Sequence, residues 1–257
     1  MKPRKKNVLV TGSKGFLGTN LINYLSEKKS LNIFEYTRKS SLEDLNAYIE
    51  KIDFIFHFAG LISPIHSEEE FKDSNTNLTS EIIKLLSKKK LSTPILFTSS
   101  IHAKEKLGYY GLSKSESEDL LIQYSSDSNS PVYIFRLPHV YGEYQNINRG
   151  SFLTDSIYNI LNGLEINMKN PNNTISYVYV KDLVQQFYEI FNLHPNCIEQ
   201  VYPEVKNIDK AKVGDVISYI SILNSNSSSN IELSNNKFKM NLEKVFKHYY
   251  EMLNNNL

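Results

Sequence analysis

Residues 7–18 read NVLVTGSKGFLG, and the reading of this stretch decides the fold. Asn7 to Val10 is a short β-branched and apolar run, and from Phe16 to Leu25 apolar side chains recur at helical spacing. The segment therefore reads strand, glycine turn, helix. Gly12, Gly15 and Gly18 fall at the junction. Absence of Cβ there permits a tight turn and lets a pyrophosphate approach backbone N–H groups at the helix N-terminus. A GxxGxxG triplet also fits a glycine turn that binds nothing, so its surroundings have to decide.

Those surroundings repeat the same alternation. LNIFEYT (31–37) is a second strand, Leu42 to Ile52 a short helix, and the near-continuous apolar run Phe54 to Phe58 suits a strand covered on both faces. Phe71 to Lys90 is expected to form one long helix, TPILFTSS (93–100) a fourth strand, Tyr109 to Tyr124 a helix and PVYIFRLP (131–138) a fifth strand. Strand and helix alternating over residues 1–142 imply an α/β domain with a doubly wound parallel sheet and right-handed crossovers. Beyond Gly142 the regularity weakens: Ser151 to Leu161 reads as helix, ISYVYV (175–180) as strand, and Lys181 to Phe191 as an amphipathic helix. Lys212 to Ile222 and Phe238 to Leu253 are further helices, joined through NSNSSSN (224–230), a polar loop without apolar anchors. Residues 143–257 are expected to form a small C-terminal lobe packed on the core as part of one structural unit.

Composition removes several classes of function. The chain has 257 residues, 29 Lys+Arg against 28 Asp+Glu, and a formal net charge of +1 with no long basic block. Nothing in that balance favours nucleic acid or an anionic membrane as partner. One cysteine, Cys197, allows neither an internal disulfide nor a cysteine-rich metal site, so a reducing compartment is expected. The basic N-terminus MKPRKK is followed by too short an apolar run for a signal peptide, and no apolar stretch reaches the roughly 20 residues of a membrane span. A cytoplasmic chain is the resulting expectation. Arginine occurs only at Arg4, Arg38, Arg136 and Arg149 in a lysine-rich sequence, which marks these positions as sites where a planar guanidinium fork is wanted.

Candidate chemistry lies in two places. In YGLSK (110–114) a spacing of four puts the Tyr110 phenol and the Lys114 ammonium on one helix face, where the cation can favour phenolate. Bringing a tyrosine from about 10 to about 7 requires about 4 kcal/mol of differential stabilisation, more than a lone exposed lysine supplies. Thr98, Ser99 and Ser100 end the fourth strand, the edge at which open parallel sheets bind ligands, and a hydroxyl there can bond a substrate carbonyl or alkoxide. The plainer alternative, a solvated Tyr/Lys pair beside a serine-rich strand end that caps local backbone, stays open on these residues alone.

Taken in order, TGSKGFLG, HFAG (57–60), Asn75 in DSNTNLTS, FTSS, YGLSK, FRLPHVYG (135–142) and YVKD (179–182) resemble the extended short-chain dehydrogenase/reductase family, in its nucleotide-sugar epimerase, dehydratase and reductase branch. The resemblance covers residues 7 to about 185 and implies a Rossmann-like sheet. It also implies Tyr110 as acid/base, Lys114 as its electrostatic partner and ribose ligand, and Ser100 as the hydroxyl that polarises the carbonyl. The implied cofactor residues are Gly12, Lys14, Gly15, Phe16, Leu17, Gly18, Arg38, Phe58, Ala59, Gly60, Asn75 and Lys114. The implied substrate residues are Ser99, Ser100, His102, His139 and Arg149, with no metal ligand. Within the branch the sequence is similar to the reductase portion of bifunctional capsular-polysaccharide enzymes that reduce a UDP-2-acetamido-2,6-dideoxy-hexulose at C4. Such enzymes usually carry a C-terminal cupin domain; here no His and carboxylate cluster follows residue 194, so a metal-dependent epimerase activity is not expected.

Cofactor choice turns on EYTRKSS (35–41): Glu35 lies within the strand while Arg38 and Lys39 follow its end, which favours NADPH over NADH unless the two basic residues form an ordinary solvated turn. His139 stands where the family usually shows Asn, and the Arg common before YVxD is absent from Thr174 to Val178, a role that Arg149 can take by bidentate pairing with a diphosphate. The resulting expectation is an NADPH-dependent C4 reductase of a UDP-linked 4-keto-6-deoxy (2-acetamido) hexose. The rivals are a 4-epimerase with tightly bound NAD and a non-catalytic NAD(P)-binding sensor. A 4,6-dehydratase is disfavoured because Ile101 and His102 follow Ser100 in place of an Asp-Glu pair. Homodimers are common in the family and remain open for this chain.

Overall fold

The structure is a computed structural model and describes residues 4–62, 65–147, 151–168, 170–193, 202–225, 231, 233 and 235–255. Arg149, Cys197 and most of the expected 224–230 loop lie outside the described residues. The chain divides into two compact units, Met1–Leu137 with Val184–Val205, and Pro138–Leu183 with Lys206–Leu257.

The first unit begins with β1 (Lys6–Thr11), α1 (Phe16–Ser26), β2 (Leu31–Tyr36), α2 (Leu42–Ile49) and β3 (Phe54–His57). It continues through α3 (Glu68–Phe71), a π-helical segment (Lys72–Asn77), α4 (Leu78–Lys88), β4 (Ile95–Ser100), a 3₁₀ turn (Ile101–Ala103), α5 (Gly108–Ser128) and β5 (Val132–Leu137). All strand pairings are parallel and the order is β2-β1-β3-β4-β5. The chain reverses its direction of winding between β1 and β3, so the carboxyl ends of those two strands border the crevice where such sheets receive ligands.

Burial explains why the inner strands lack polar alternation. On one face Leu9, Ile55, Ile95, Phe97 and Ile134 pack with Leu45 and Ile49 of α2, Ile82 and Leu86 of α4, and Leu121 and Tyr124 of α5. On the other, Phe54, Phe56, Phe58 and Phe135 meet Phe187 and Phe191, with ring centroids 5.0–6.0 Å apart. Those last two rings belong to α7 (Val180–Asn192), which the sequence reading grouped with the C-terminal lobe. These edge-on and tilted ring contacts are the physical reason the α7 residues from Val184 onward count with the sheet. The division also falls after Leu137 rather than Gly142, because the next strand pairs elsewhere.

That strand, β6 (His139–Tyr141), opens the second unit, followed by α6 (Phe152–Leu161), β7 (Thr174–Tyr179), β8 (Ile208–Lys212), α8 (Val213–Ser225) and α9 (Asn236–Asn254). β6 runs parallel and β8 antiparallel to β7. Neither β6 nor β8 was expected from the sequence: one is three residues long, and IDKAK has a single buried position. Tyr141, Tyr177 and Phe238 form a buried ring cluster, and Asn235 caps α9 by accepting from the Phe238 N–H at 2.7 Å. Among the described residues no helix is long and apolar enough to cross a membrane.

The expected long helix 71–90 is interrupted. Ser67 caps α3 through a reciprocal box with Glu70, the next six residues widen into the π turn, and α4 resumes at Leu78. Such a widened turn commonly re-aims a side chain at a functional site, and here the side chain is Asn75.

Candidate active site

At the crevice the glycine turn closes against the loop that follows β3. Gly12 has φ +67°, and a Cβ there would lie 2.7 Å from the Ala59 nitrogen; a Cβ at Gly18 would lie 2.2 Å from the Gly12 carbonyl oxygen. Both positions are closed to any side chain, which brings the start of α1 hard against the strand end. α1 takes Gly15 as N-cap, with no side-chain cap and no acidic residue in its first turn. Its first N–H groups and the positive end of its dipole therefore suit an anionic diphosphate. The Gly12, Gly15 and Gly18 backbone at the start of α1 and the loop after β3 border this cradle, whose chemistry suits the diphosphate of a dinucleotide. Lys14 is exposed and pairs with Glu35 at 2.8 Å, while Arg38 is exposed on the turn after β2.

Beneath the cradle a directional hydrogen-bond chain fixes the loop. Thr11 Oγ1 accepts from the Phe58 and Ala59 N–H groups, each at 3.2 Å, and meets His57 Nδ1 at 2.7 Å. His57 Nε2 meets Thr79 Oγ1 at 2.9 Å, and that hydroxyl donates to the Asn75 carbonyl at 2.7 Å. With its lone pairs taken, Thr11 donates to Nδ1, so Nε2 carries the proton and His57 is neutral. Burial pulls the His57 pKa down to about 3, with the Lys114 charge adding to the effect. Because the folded value lies below the ordinary 6.5, the contribution is intact above about pH 6.5 and is lost as pH falls toward 3, on the order of 5 kcal/mol over the whole window. Denaturant unfolding between pH 6.5 and 4.5 should therefore show a falling stability that His57→Gln flattens; an unchanged slope would refute the assignment.

Asn75, expected to bind cofactor, has its amide committed within the protein. Its Oδ1 accepts from the Leu61 N–H at 2.7 Å, and its Nδ2 donates to the Leu61 carbonyl at 3.2 Å and to Ser113 Oγ at 3.0 Å. It brackets the loop against α5. A Cβ at Gly60 would lie 2.7 Å from that Oδ1 and 3.3 Å from Lys114 Nζ, so the loop, the π segment and the α5 cation converge.

Ser100, Tyr110 and His102 also come together. Ser100 Oγ accepts from the His102 N–H at 3.2 Å, and the Ser100 side chain lies within hydrogen-bonding reach of the Tyr110 phenol. The Tyr110 ring packs between Phe71 at 5.9 Å and His102 at 6.4 Å. Burial pushes the phenol up to about 12, opposed only by the Ser100 hydrogen bond. This corrects the expectation that Lys114 would lower it. Lys114 is 3% exposed, donates to the Thr98 carbonyl at 2.9 Å and lies 4.6 Å from the centre of the Phe97 ring. Desolvation brings its own pKa down to about 8 against the pull of Glu118.

Ser99 is a second correction. Successive strand residues face opposite sides of the sheet, and Ser99 shares with Phe97 the side that packs on α5. Its buried hydroxyl donates to Glu118, so it is not a substrate group in this arrangement. Of the remaining substrate candidates, His139 is exposed on β6 in the second unit, 6.2 Å from the Tyr177 ring. Sequence reasoning did not single out Thr11, His57, Thr79, Ser113 or Glu118 as site residues; the one available signal was the rarity of arginine, which pointed to Arg136, the partner of Glu118.

The model of the NAD dependent epimerase/dehydratase family matches residues 8–196. The chain is 38% identical over 185 residues to a UDP-2-acetamido-2,6-beta-L-arabino-hexul-4-ose reductase of Pseudomonas aeruginosa, covering 72% of this chain and 49% of that protein. The capsular polysaccharide assembling protein CapF of Staphylococcus aureus superposes with a TM-score of 0.80 at 29% identity, over 95% of this chain and 65% of that one. The UDP-glucuronic acid 4-epimerase of Bacillus cereus, solved with NAD, shares the fold at a TM-score of 0.83 and 17% identity, over 96% of this chain and 99% of that one. This chain thus spans about half the length of the reductase and two thirds of CapF. With the family match running from β1 through α7 over the parallel sheet, the chain belongs to the NAD dependent epimerase/dehydratase family, the extended short-chain dehydrogenase/reductases.

Proposed function

We propose that the chain reduces the C4 ketone of a UDP-linked 4-keto-6-deoxy hexose, with a 2-acetamido group as the preferred substituent, using NADPH. The observation that carries this reading is the meeting of Ser100 and Tyr110 at the carboxyl end of β4, with Lys114 buried alongside. The likeness to a hexulose reductase supports the substrate class.

When bound, the reduced nicotinamide supplies a hydride; the protein supplies orientation and the proton. Ser100 donates a hydrogen bond to the carbonyl oxygen and so polarises it. A phenol raised to about 12 by burial keeps its proton at neutral pH and so has one to deliver. As charge develops on oxygen, Tyr110 gives up its proton to an alkoxide that is the stronger base. Lys114, one turn along α5 and buried, is the proposed cation and ribose ligand of the site. The likeness to a hexulose reductase supports reduction over the NAD-retaining alternative. His139 and Arg149 remain proposed substrate ligands, and Gly12, Lys14, Gly15, Phe16, Leu17, Gly18, Arg38, Phe58, Ala59, Gly60 and Lys114 proposed cofactor contacts, with Asn75 bracing them. A cytoplasmic location and a homodimer belong to the same reading.

Purified protein mixed with NADPH or NADH and a panel of UDP- and dTDP-4-keto sugars should lose reduced-nicotinamide absorbance most rapidly with NADPH and a UDP-4-keto sugar. NMR should find a C4 alcohol. Copurified NAD with no net NADPH consumption would reject the reductase in favour of the epimerase. Arg38→Ala is expected to raise the KM for NADPH about tenfold and leave that for NADH nearly unchanged, since only the 2′-phosphate addresses the guanidinium. Equal effects on both would reassign Arg38 to a solvated turn.

A further inference from the structure

Glu118 is 1% exposed and sits on α5 one turn after Lys114, with Tyr110 one turn before it. A buried carboxylate needs its lone pairs filled, and every donor here comes from a different part of the first unit. Ser99 donates from the end of β4, next to the site hydroxyl Ser100. Arg136 donates through Nε to both oxygens at 3.0 and 3.2 Å and through Nη2 to Oε2, and it is Ser99's register partner on β5. Tyr202 donates at 3.1 Å to Oε2 and lays its ring 4.3 Å from the guanidinium carbon of Arg136. The planar fork expected at one of the few arginines is therefore turned inward, onto the helix that carries the catalytic pair.

We propose that Glu118 is a positioning residue of the reductase site: clamped by Arg136, Ser99 and Tyr202, it fixes α5 against the ends of β4 and β5 and supplies the fixed negative charge that faces Lys114. This rests on the reading of Lys114 as the cation of the site. The other groups around the ammonium carry no opposing charge: His57 on β3 is neutral, Tyr110 is protonated, Phe97 and the Thr98 carbonyl come from β4, and Gly60 and Asn75 complete the shell. Of the neighbouring carboxylates, Glu116 accepts from Thr76 and Asp119 acts on Arg136 and Tyr202, so Glu118 is the anion that bears on Lys114. Arg136 sets how much of that charge is available.

The two charged members must then act on Lys114 with opposite sign. In protein carrying ¹³Cε-labelled lysine, the Lys114 resonance is assigned by its loss in Lys114→Arg and titrated by NMR without substrate. Glu118→Gln, which keeps the side-chain shape, should lower the midpoint by about one pH unit, and Arg136→Gln should raise it. The alkaline limb of kcat/KM should shift in the same directions. Midpoints that stay put or move the same way in two folded variants would overturn the proposal. Loss of the folded state in both, judged by circular dichroism, would make the cluster a folding anchor and overturn it equally. Failure of the wild type to reduce any 4-keto sugar would refute the proposed reaction and leave the lysine titration standing, so the two readings fail separately.

Discussion

Tyr110→Phe should lower kcat for ketone reduction by about 10³-fold or more while leaving NADPH binding, read by nicotinamide fluorescence, within about twofold. The substitution removes one oxygen and keeps the ring, whose packing against Phe71 and His102 carries its share of the local stability. Nothing in the cradle is touched, so cofactor affinity has no reason to change. The loss is large because the phenol is the group that the proposed mechanism relies on for the proton. Ser100→Ala should cost less, since it removes a polarising hydrogen bond and leaves the acid. The wild-type rate should decline on the alkaline side near the Lys114 value of about 8, well below the phenol, because the ammonium is the first of the pair to be lost. Equal loss of turnover and binding in Tyr110→Phe would indicate a folding defect and leave the phenol's role unsupported.

Gly18→Ala is expected to abolish measurable dinucleotide binding and to destabilise the protein by about 2 to 4 kcal/mol. The new methyl group would meet the Gly12 carbonyl oxygen at 2.2 Å and the Ser13 Cα at 2.7 Å, all of it backbone that cannot swing aside as a side chain would. Relief requires α1 to move off the turn, and with it the N–H groups that would bind the diphosphate. Gly163→Ala is the control: φ there is +66°, but nothing lies within 4 Å of the added carbon, so only backbone strain of about 1 kcal/mol is expected. Thermal unfolding of both variants, with fluorescence titration of NADPH, separates contact from strain. If the two behaved alike, the close approach of α1 to the turn would not be what the cradle depends on.

The five parallel strands were legible because the sheet is covered on both faces, which turns each inner strand into a short run such as FIFH or ILFTSS with every residue buried. No such pressure acts on β6 or on IDKAK of β8, and neither carries a pattern that tells it from loop. The break at Lys72–Asn77 escaped notice for another reason: a π turn changes the phase of a helix without changing its composition. In the site, TGSKGFLG and YGLSK announced themselves through glycine and through spacing. Ser99 and Ser100 are chemically identical, and only the alternation of a strand separates the one that meets Glu118 from the one beside Tyr110. The Glu118 and Arg136 pairing joins positions eighteen residues apart on different elements, and spacing says nothing about it.

The stretch from Val184 to Val205 returns to the sheet after the whole of 138–183 has been made. On the ribosome, the bare aromatic side of β3 and β5 must wait for Phe187 and Phe191 to emerge before it is shielded from water. A fragment ending at residue 142 would lose both rings, and Phe54, Phe56, Phe58 and Phe135 would lack the partners they have in the whole chain.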